Sequence, residues 1–323
     1  MNILQVLTCL YILFRIGTLK VYMNMNILYK FKGSVYMVPI VSFVTFNHAG
    51  LNARNLTALL NTNDDFELYI IDNNSVDDTW KFIQDLNDER IVCKKRFNVN
   101  RGLVYALNYV LSNRKKDQYF ITMDSDVYIE SKDWISKFMR SFQLFDELGI
   151  AAAERKTYFQ EKKVAYKPEV REGFEVVKTN FAIGCCMCIS PKLLDLLGYF
   201  NEETYGADLD ICARTVTYTP FKIAIIPEIA INQQQRITCD ECLIKDKCTI
   251  TDGTCYGVYK KRYAHREFAK GYMNKHTKYL HEIQSGKRGI YCASIHDKES
   301  LKNNYYDMKA AEENFKFFEE NSN

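Results

Sequence analysis

Proline is scarce, five residues in a chain of 323, and neither a low-complexity tract nor an internal repeat is present. These absences exclude a Pro-rich linker, a disordered chain and a solenoid. An excess of one charge is also missing. Lys and Arg number 43 against 40 Asp and Glu, a net charge of +3, so charge alone gives no ground for a nucleic-acid partner. The apolar run from Ile3 to Phe14 is broken by Gln5 and closed by Arg15, which leaves it short of the roughly 20 residues that a spanning helix needs. No clear small-residue cleavage site follows it. What is present is material for a large core: 47% hydrophobic residues, with 22 Tyr and 20 Phe. The 11 Cys are too dilute for a disulfide-built scaffold, so their placement carries the information.

Residues 1–36 form an N-terminal apolar segment with three readings: a surface helix, a membrane anchor, or a start upstream of the true one, since Met23, Met25 and Met37 are available. The first strand is expected just after Met37. From there the runs VPIVSFVTF, ELYIID, RIVCKK and QYFITMD have strand length and high β propensity, and each precedes a stretch of helical spacing. That alternation predicts an α/β fold with a parallel sheet and crossover helices. Ser75, Ser131 and Ser190 read as helix starts, and Gly198 as a C-cap.

The polar residues that interrupt the pattern are ordered. Asn47 follows the first run, Asp72, Asn73 and Asn74 the second, Asn98 to Gly102 the third, and Asp124, Ser125 and Asp126 the fourth. Each group falls at the carboxyl end of its strand, where ligands sit in open α/β sheets. Ordinary turn chemistry accounts for any one of these loops, but it does not require carboxylates on two of them. Asp124 and Asp126, two apart on an extended chain, point the same way. Such a pair suits Mg²⁺ or Mn²⁺ completed by substrate phosphates.

The stretches VSFVTFNHAG, IIDNNSVDDT, NVNRGLVYALN, DSD and YGADLDICAR stand in this order between Val38 and Gln235. In sequence and spacing this part of the chain resembles a family 2 glycosyltransferase of the GT-A fold, a Rossmann-like, mostly parallel sheet flanked by helices that binds nucleotide-diphospho-sugars. The resemblance implies that Thr45, Asn47 and Asp72 hold the nucleobase and ribose, with Asn74 nearby. It places Asn100, Arg101 and Gly102 at the donor, Arg101 against phosphate, and Gly102 where the backbone approaches closely. Asp124 would lie near the ribose or the metal, and Asp126 would bind the metal directly.

In NEETYGADLDICAR the acidic residues Glu202, Glu203, Asp208 and Asp210 cluster at a helix entry, and capping is one reading of them. The family motif there is Glu-Asp-x-Asp, whose first Asp is the catalytic base. This chain has Ala207-Asp208-Leu209-Asp210, so the base falls on Asp208 and the preceding Glu is lost. A second departure is Ile231-Asn232-Gln233-Gln234-Gln235, where the family often has a metal-completing His. An amide oxygen can ligate a hard cation, though without charge.

Cys185, Cys186 and Cys188 lie in an apolar run and read as core residues, as do Cys93, Cys212 and Cys292. Cys239, Cys242, Cys248 and Cys255 differ, since their stretch has no core pattern and Cys-x2-Cys spacing suits structural Zn²⁺. Two disulfides and an iron–sulfur cluster are the alternatives. The expected organisation is the apolar segment at 1–36, a GT-A domain at 37–235, a Cys-rich zinc-binding segment at 236–256 and a helical C-terminal extension at 257–323. The expected activity is inverting, metal-dependent transfer of a sugar from a nucleotide-diphosphate donor to an acceptor hydroxyl, on a glycan, lipid-linked glycan, protein or nucleic acid. Its expected place is the cytoplasm, with peripheral membrane contact as an option. A nucleotidyltransferase and an inactive sugar-nucleotide-binding protein are the rivals, the first lacking a Gly-rich triphosphate loop followed by Lys.

Overall fold

The computed structural model describes residues 28–31, 34–155, 157–161, 163, 165–234, 236–251, 253–262 and 265–322. The apolar run at 3–14, and with it the choice between surface helix, anchor and late start, lies outside the described residues, as does Gln235. A short antiparallel pair, β1 (Leu28–Phe31) and β2 (Ser34–Met37), comes first. Strand structure therefore begins before Met37.

The four expected strands form as β3 (Ile40–Thr45), β4 (Glu67–Asp72), β5 (Ile91–Arg96) and β6 (Phe120–Asp124). They pair in parallel in the order β5-β4-β3-β6. Their crossovers are α1 (Ala49–Leu60), α2 (Thr79–Asp85) and α3 (Gly102–Leu111). Then come β7 (Val127–Ile129), α4 (Trp134–Leu144), β8 (Leu148–Ala152), α5 (Tyr158–Glu161), β9 (Glu169–Arg171), β10 (Phe174–Thr179) and β11 (Cys186–Ile189). After α6 (Pro191–Leu197) and α7 (Ala207–Tyr218) the chain adds β12 (Lys222–Ile225) and β13 (Ile231–Gln233). The sheet has nine strands in the order β5-β4-β3-β6-β11-β8-β12-β10-β9. Its second half is mixed: β11 runs antiparallel to both β6 and β8, and β12 parallel to β8.

Alternation along β3 divides the core between two faces. Val41 and Phe43 join Leu56 of α1 and Trp134 and Phe138 of α4. Ile40 joins Leu107 of α3, Leu194 of α6 and Ile211 of α7 on the other face. Two of the three serines read as caps serve elsewhere. Ser75 Oγ accepts from the Asn47 amide at 2.6 Å and Ser131 Oγ from the Ala230 amide at 2.8 Å, so α2 and α4 start later, at Thr79 and Trp134. Ser190 does cap α6, accepting from the Leu193 amide at 3.3 Å, with Pro191 in the first turn and Gly198 closing it at φ 68°.

The C-terminal helices are α8 (Cys255–Arg262), α9 (His265–Gln284), α10 (Lys298–Asn303) and α11 (Met308–Asn321). They are more than a surface addition. Ala311 and Phe315 of α11 are wholly buried in the same cluster as α3, and the Phe315 ring stands edge-on to Tyr105 at 5.0 Å. Glu202, in the loop before α7, gathers donors from the core and from this region: Asn108 Nδ2 at 2.8 Å, Ser294 Oγ at 2.7 Å, the Ile295 amide at 3.1 Å and Tyr306 Oη at 2.5 Å. Truncating Phe315 to Ala should therefore cost about 3–4 kcal/mol of global stability, the range for a buried Phe. Urea titration of the variant should show a lower midpoint, and a midpoint within error of the parent would place α11 outside the cooperative unit.

Candidate active site

The carboxyl edge of β3, β4 and β6 assembles the expected residues. Thr45 and Asp72 are register partners at the ends of β3 and β4, at 1% and 0% exposure. Asn47 and His48 both take left-handed backbone, φ 55° and 71°, which turns the chain sharply into α1. Asn47 is pinned through the Ser75 hydroxyl and by the Val76 amide, which donates to its Oδ1 at 2.8 Å. Asp72 accepts from the Ser75 amide at 3.2 Å and meets Arg96 Nε at 3.3 Å. Burial nevertheless pushes its carboxyl up to about 6, against the pull of Ser75 and Arg96. Thr45 Oγ1, Asn47 Nδ2 and His48 Nε2 are sealed from solvent without a hydrogen-bond partner. Three such atoms around one turn are costly unless a ligand meets them.

The Asn-x-Gly turn is completed from two directions. Asn100 Oδ1 accepts from the Gly102 amide at 2.8 Å, and its Nδ2 donates to Ser322 Oγ at 2.9 Å, just beyond α11. Asn73 braces the same turn, donating to the Gly102 carbonyl at 3.0 Å and accepting from the Arg101 amide at 3.2 Å. Gly102 has φ 81°, and a side chain there would overlap the Tyr205 hydroxyl and the Phe318 ring. The Tyr205 hydroxyl donates to the Arg101 carbonyl, which ties this turn to the loop before α7. The Arg101 guanidinium lies over Tyr105 at 5.3 Å and Phe315 at 5.9 Å. Asn74, at φ 68°, stays half-buried beside Asp72.

Asp124 ends β6 and Asp126 follows two residues later. Burial and the charges of Asp126 and Asp208 hold the Asp124 carboxyl well above the usual range. Asp126 is raised chiefly by burial, with Gln233 and Arg155 pulling the other way. Among the described residues neither forms an ion pair with Lys, Arg or His. The pairing of β13 with β7 brings Gln233 to Asp126: its Nε2 lies 3.3 Å from both carboxylate oxygens, and the Gln234 amide donates to the Asp126 carbonyl at 3.0 Å. Gln233 thus stands beside Asp126, in the stretch where a His was expected from the resemblance.

Of the four acids around α7, only Asp208 turns toward this pair. Its Oδ2 accepts from the Gly184 amide at 3.0 Å and its Oδ1 from the Leu209 amide at 2.8 Å. Asp210 is instead wholly buried against Arg214 at 2.7 Å and His276 at 3.3 Å, and Glu203 pairs with Arg288 at 2.7 Å. One acid was missed by sequence reasoning. Glu154, two residues beyond β8 and 6% exposed, accepts from the Ile183 amide at 3.2 Å, and burial with the charge of Asp208 pushes it up to about 7. The signal available was an acid two residues past an unbroken apolar run, AAAE.

The Cys-rich segment lies against the start of α1 and the loop before α2. Thr249 donates through its amide to Asp78 at 2.6 Å, and Cys242 Sγ sits 2.7 Å from where a side chain on Gly50 would begin. Cys239 and Cys248 are exposed, Cys242 and Cys255 half-buried. Among the described residues no three His, Cys, Asp or Glu side chains converge as an ion-holding group. The thiols nevertheless stay within electrostatic reach of one another, Cys242 of Cys239 and Cys248, and Cys255 of Cys242 and Cys248; the zinc expected at Cys239, Cys242, Cys248 and Cys255 gains no support beyond that proximity. None of the described cysteines is in a disulfide. Cys185, Cys186 and Cys188 are buried as expected, their thiols pushed far up by burial, and Cys93 is only half-buried.

Paired carboxylates at the carboxyl edge of a mostly parallel sheet flanked by helices define a GT-A-like architecture. Residues 41–194 match the model of glycosyl transferase family 2. The UDP-Glc:alpha-D-GlcNAc-diphosphoundecaprenol beta-1,3-glucosyltransferase WfaP of Escherichia coli is 28% identical over 173 residues, which cover 50% of this chain and 64% of that protein. Mannosyltransferase PcManGT from Pyrobaculum calidifontis, solved with GDP-Man and Mn2+, is similar in fold with a TM-score of 0.50 at 15% identity, over 75% of this chain and 64% of that one. The chain thus spans a little under two thirds of each of these relatives.

The repulsion between Asp124 and Asp126 has a direct test. Since the fold disfavours two ionised groups there, Asp126→Asn should raise the melting temperature of the metal-free protein by a few degrees, on the order of 1 kcal/mol. The same change should remove stabilisation by added Mn²⁺, read by thermal shift with and without chelator.

Proposed function

We propose that this protein is a glycosyltransferase that moves a sugar from a nucleotide-diphosphate donor to an acceptor hydroxyl with inversion at the anomeric carbon. The observation that carries this reading is the meeting of Asp208 and Asp124 on adjacent residues of one segment: the Gly184 amide donates to Asp208 at 3.0 Å, and the Asp124 amide donates to the Cys185 carbonyl at 2.8 Å. Two half-buried carboxylates that repel each other and, among the described residues, form no ion pair with Lys, Arg or His fit a hard divalent cation, with the Gln233 side-chain amide, its Nε2 on Asp126, beside them. Bound by Asp124 and Asp126, Mg²⁺ or Mn²⁺ would supply positive charge against the departing diphosphate.

The chain's own residues supply the rest. Thr45, Asn47 and Asp72 line the turn that receives the nucleobase and ribose, and the unsatisfied Thr45 Oγ1 and Asn47 Nδ2 are groups it would use. The turn at Asn100, Arg101 and Gly102 presents backbone to the donor, kept in shape by Asn73 and Tyr205. The Gly184 and Leu209 amides hold both oxygens of Asp208. From there Asp208 takes the proton of the acceptor hydroxyl while that oxygen bonds to the anomeric carbon. On the opposite face the bond from that carbon to the diphosphate breaks, with its electron pair leaving on the nucleotide. A single displacement of this kind inverts the centre, through a transition state with oxocarbenium character.

The name of the E. coli relative specifies a lipid-diphosphate-linked N-acetylglucosamine acceptor. For this protein we take a hydroxyl of a lipid-linked glycan as the acceptor class. Such an acceptor carries its sugar at the membrane surface, where this protein would meet it; no helix among the described residues is long and apolar enough to cross a membrane. The deciding experiment presents a panel of UDP- and GDP-sugars with Mn²⁺ to the protein, alone and with a short-chain N-acetylglucosamine-diphospho-lipid. Asp208→Asn should keep donor affinity, measured by calorimetry, and lose transfer by about 10²–10⁴-fold, the usual contribution of a general base. Transfer at the parent rate would put the base elsewhere.

A further inference from the structure

Glu154 and Asp208 are joined by a feature that neither sequence position suggests. The Ile183 amide donates to Glu154 at 3.2 Å, and the next amide, that of Gly184, donates to Asp208 at 3.0 Å. Two carboxyls held by consecutive peptide groups stand on neighbouring positions of one loop, one arriving from the end of β8 and the other from the first turn of α7. Gly184 keeps them close, since even a methyl group there would press on the Asp208 Cβ at 3.1 Å. Among the described residues Glu154 forms no hydrogen bond to another side chain and no ion pair. A carboxyl 6% exposed, hydrogen-bonded only by backbone amides and eased by the neighbouring Arg155 charge, is expensive to bury.

The residue before Asp208 is Ala207, so no carboxyl precedes the base on its own helix. We infer that Glu154 supplies the missing acceptor-side carboxyl, binding the hydroxyl next to the reacting one and so holding the acceptor sugar against Asp208. This rests on the reading of Asp208 as the base. A carboxyl pushed up to about 7 by burial and by Asp208 is present in both protonation states near neutral pH, so it can accept from that hydroxyl or donate to its oxygen. Glu154 is thereby a positioning and specificity residue: it selects acceptors with two adjacent hydroxyls and leaves the donor untouched.

The test uses Glu154→Gln, which keeps an oxygen for the Ile183 amide. Donor hydrolysis to water and transfer to the N-acetylglucosamine-diphospho-lipid are followed on the same nucleotide sugar, with KM resolved for donor and acceptor. The expected result is a loss of at least about tenfold in kcat/KM for the acceptor, with donor KM and donor hydrolysis at parent values. The acceptor deoxygenated at the adjacent position should show that loss with the parent protein and no further loss with Glu154→Gln. Unaltered transfer, or equal loss of hydrolysis and transfer, overturns the inference. If the parent protein neither hydrolyses nor transfers sugar from any donor, the glycosyltransferase reading itself falls, and this inference with it.

Discussion

Carboxylates crowded at the end of a buried sheet are the constraint around which this molecule is arranged. Asp124 and Asp126 repel each other, Asp208 adds to the strain on Asp124, and Glu154 stands one peptide group away from Asp208. A fold of marginal stability tolerates this only if the surroundings are rigid and otherwise satisfied. The other acids of the region show how that is achieved. Glu202 is met by four donors and Asp210 by a wholly buried Arg214, whose remaining N–H groups reach the carbonyls of Leu197, Tyr199 and Ile290. Compensated charge forms the frame, and uncompensated charge is confined to the crevice.

The two sides of the crevice are mechanically connected. Tyr205 stands at φ 64° with its hydroxyl on the Arg101 carbonyl, and the Tyr105 amide donates to the same hydroxyl at 3.2 Å. A movement of the loop before α7 therefore moves the Asn-x-Gly turn. The Cys-rich segment makes a comparable link on the far side, through Asp78 and Gly50. There His48 is stacked on Tyr259 at 5.5 Å, and burial drops its imidazole to about 4, so it stays neutral across the physiological range.

Local chemistry made much of this legible. The Val-, Ile- and Phe-rich runs became β3 to β6, and the polar residues ending them reached one edge because parallel strands leave them nowhere else to go. What was not legible depends on pairing across distance. That β11 runs antiparallel between β6 and β8 could not be read from its apolar sequence, since burial on both faces erases the alternation. Gln233 meets Asp126 only through the register of β13 on β7, more than 100 positions apart in sequence. Ser75 and Ser131 failed as caps because partners from other loops claimed their hydroxyls. The thiols at 239–255 had metal-site spacing, but spacing does not say that the segment carrying them will rest on Asp78 and Gly50.

The bond from Asn100 to Ser322 has a consequence in time. These groups are separated by 222 positions along the chain, so the turn at Asn100 cannot take its final form during synthesis of the first two thirds of the protein. A growing chain can set β3 to β6 early, yet it must wait for α11 to emerge before that turn is complete. Until then the ribosome carries a sheet whose apolar face, later covered by Phe315, is open to whatever chaperone reaches it first.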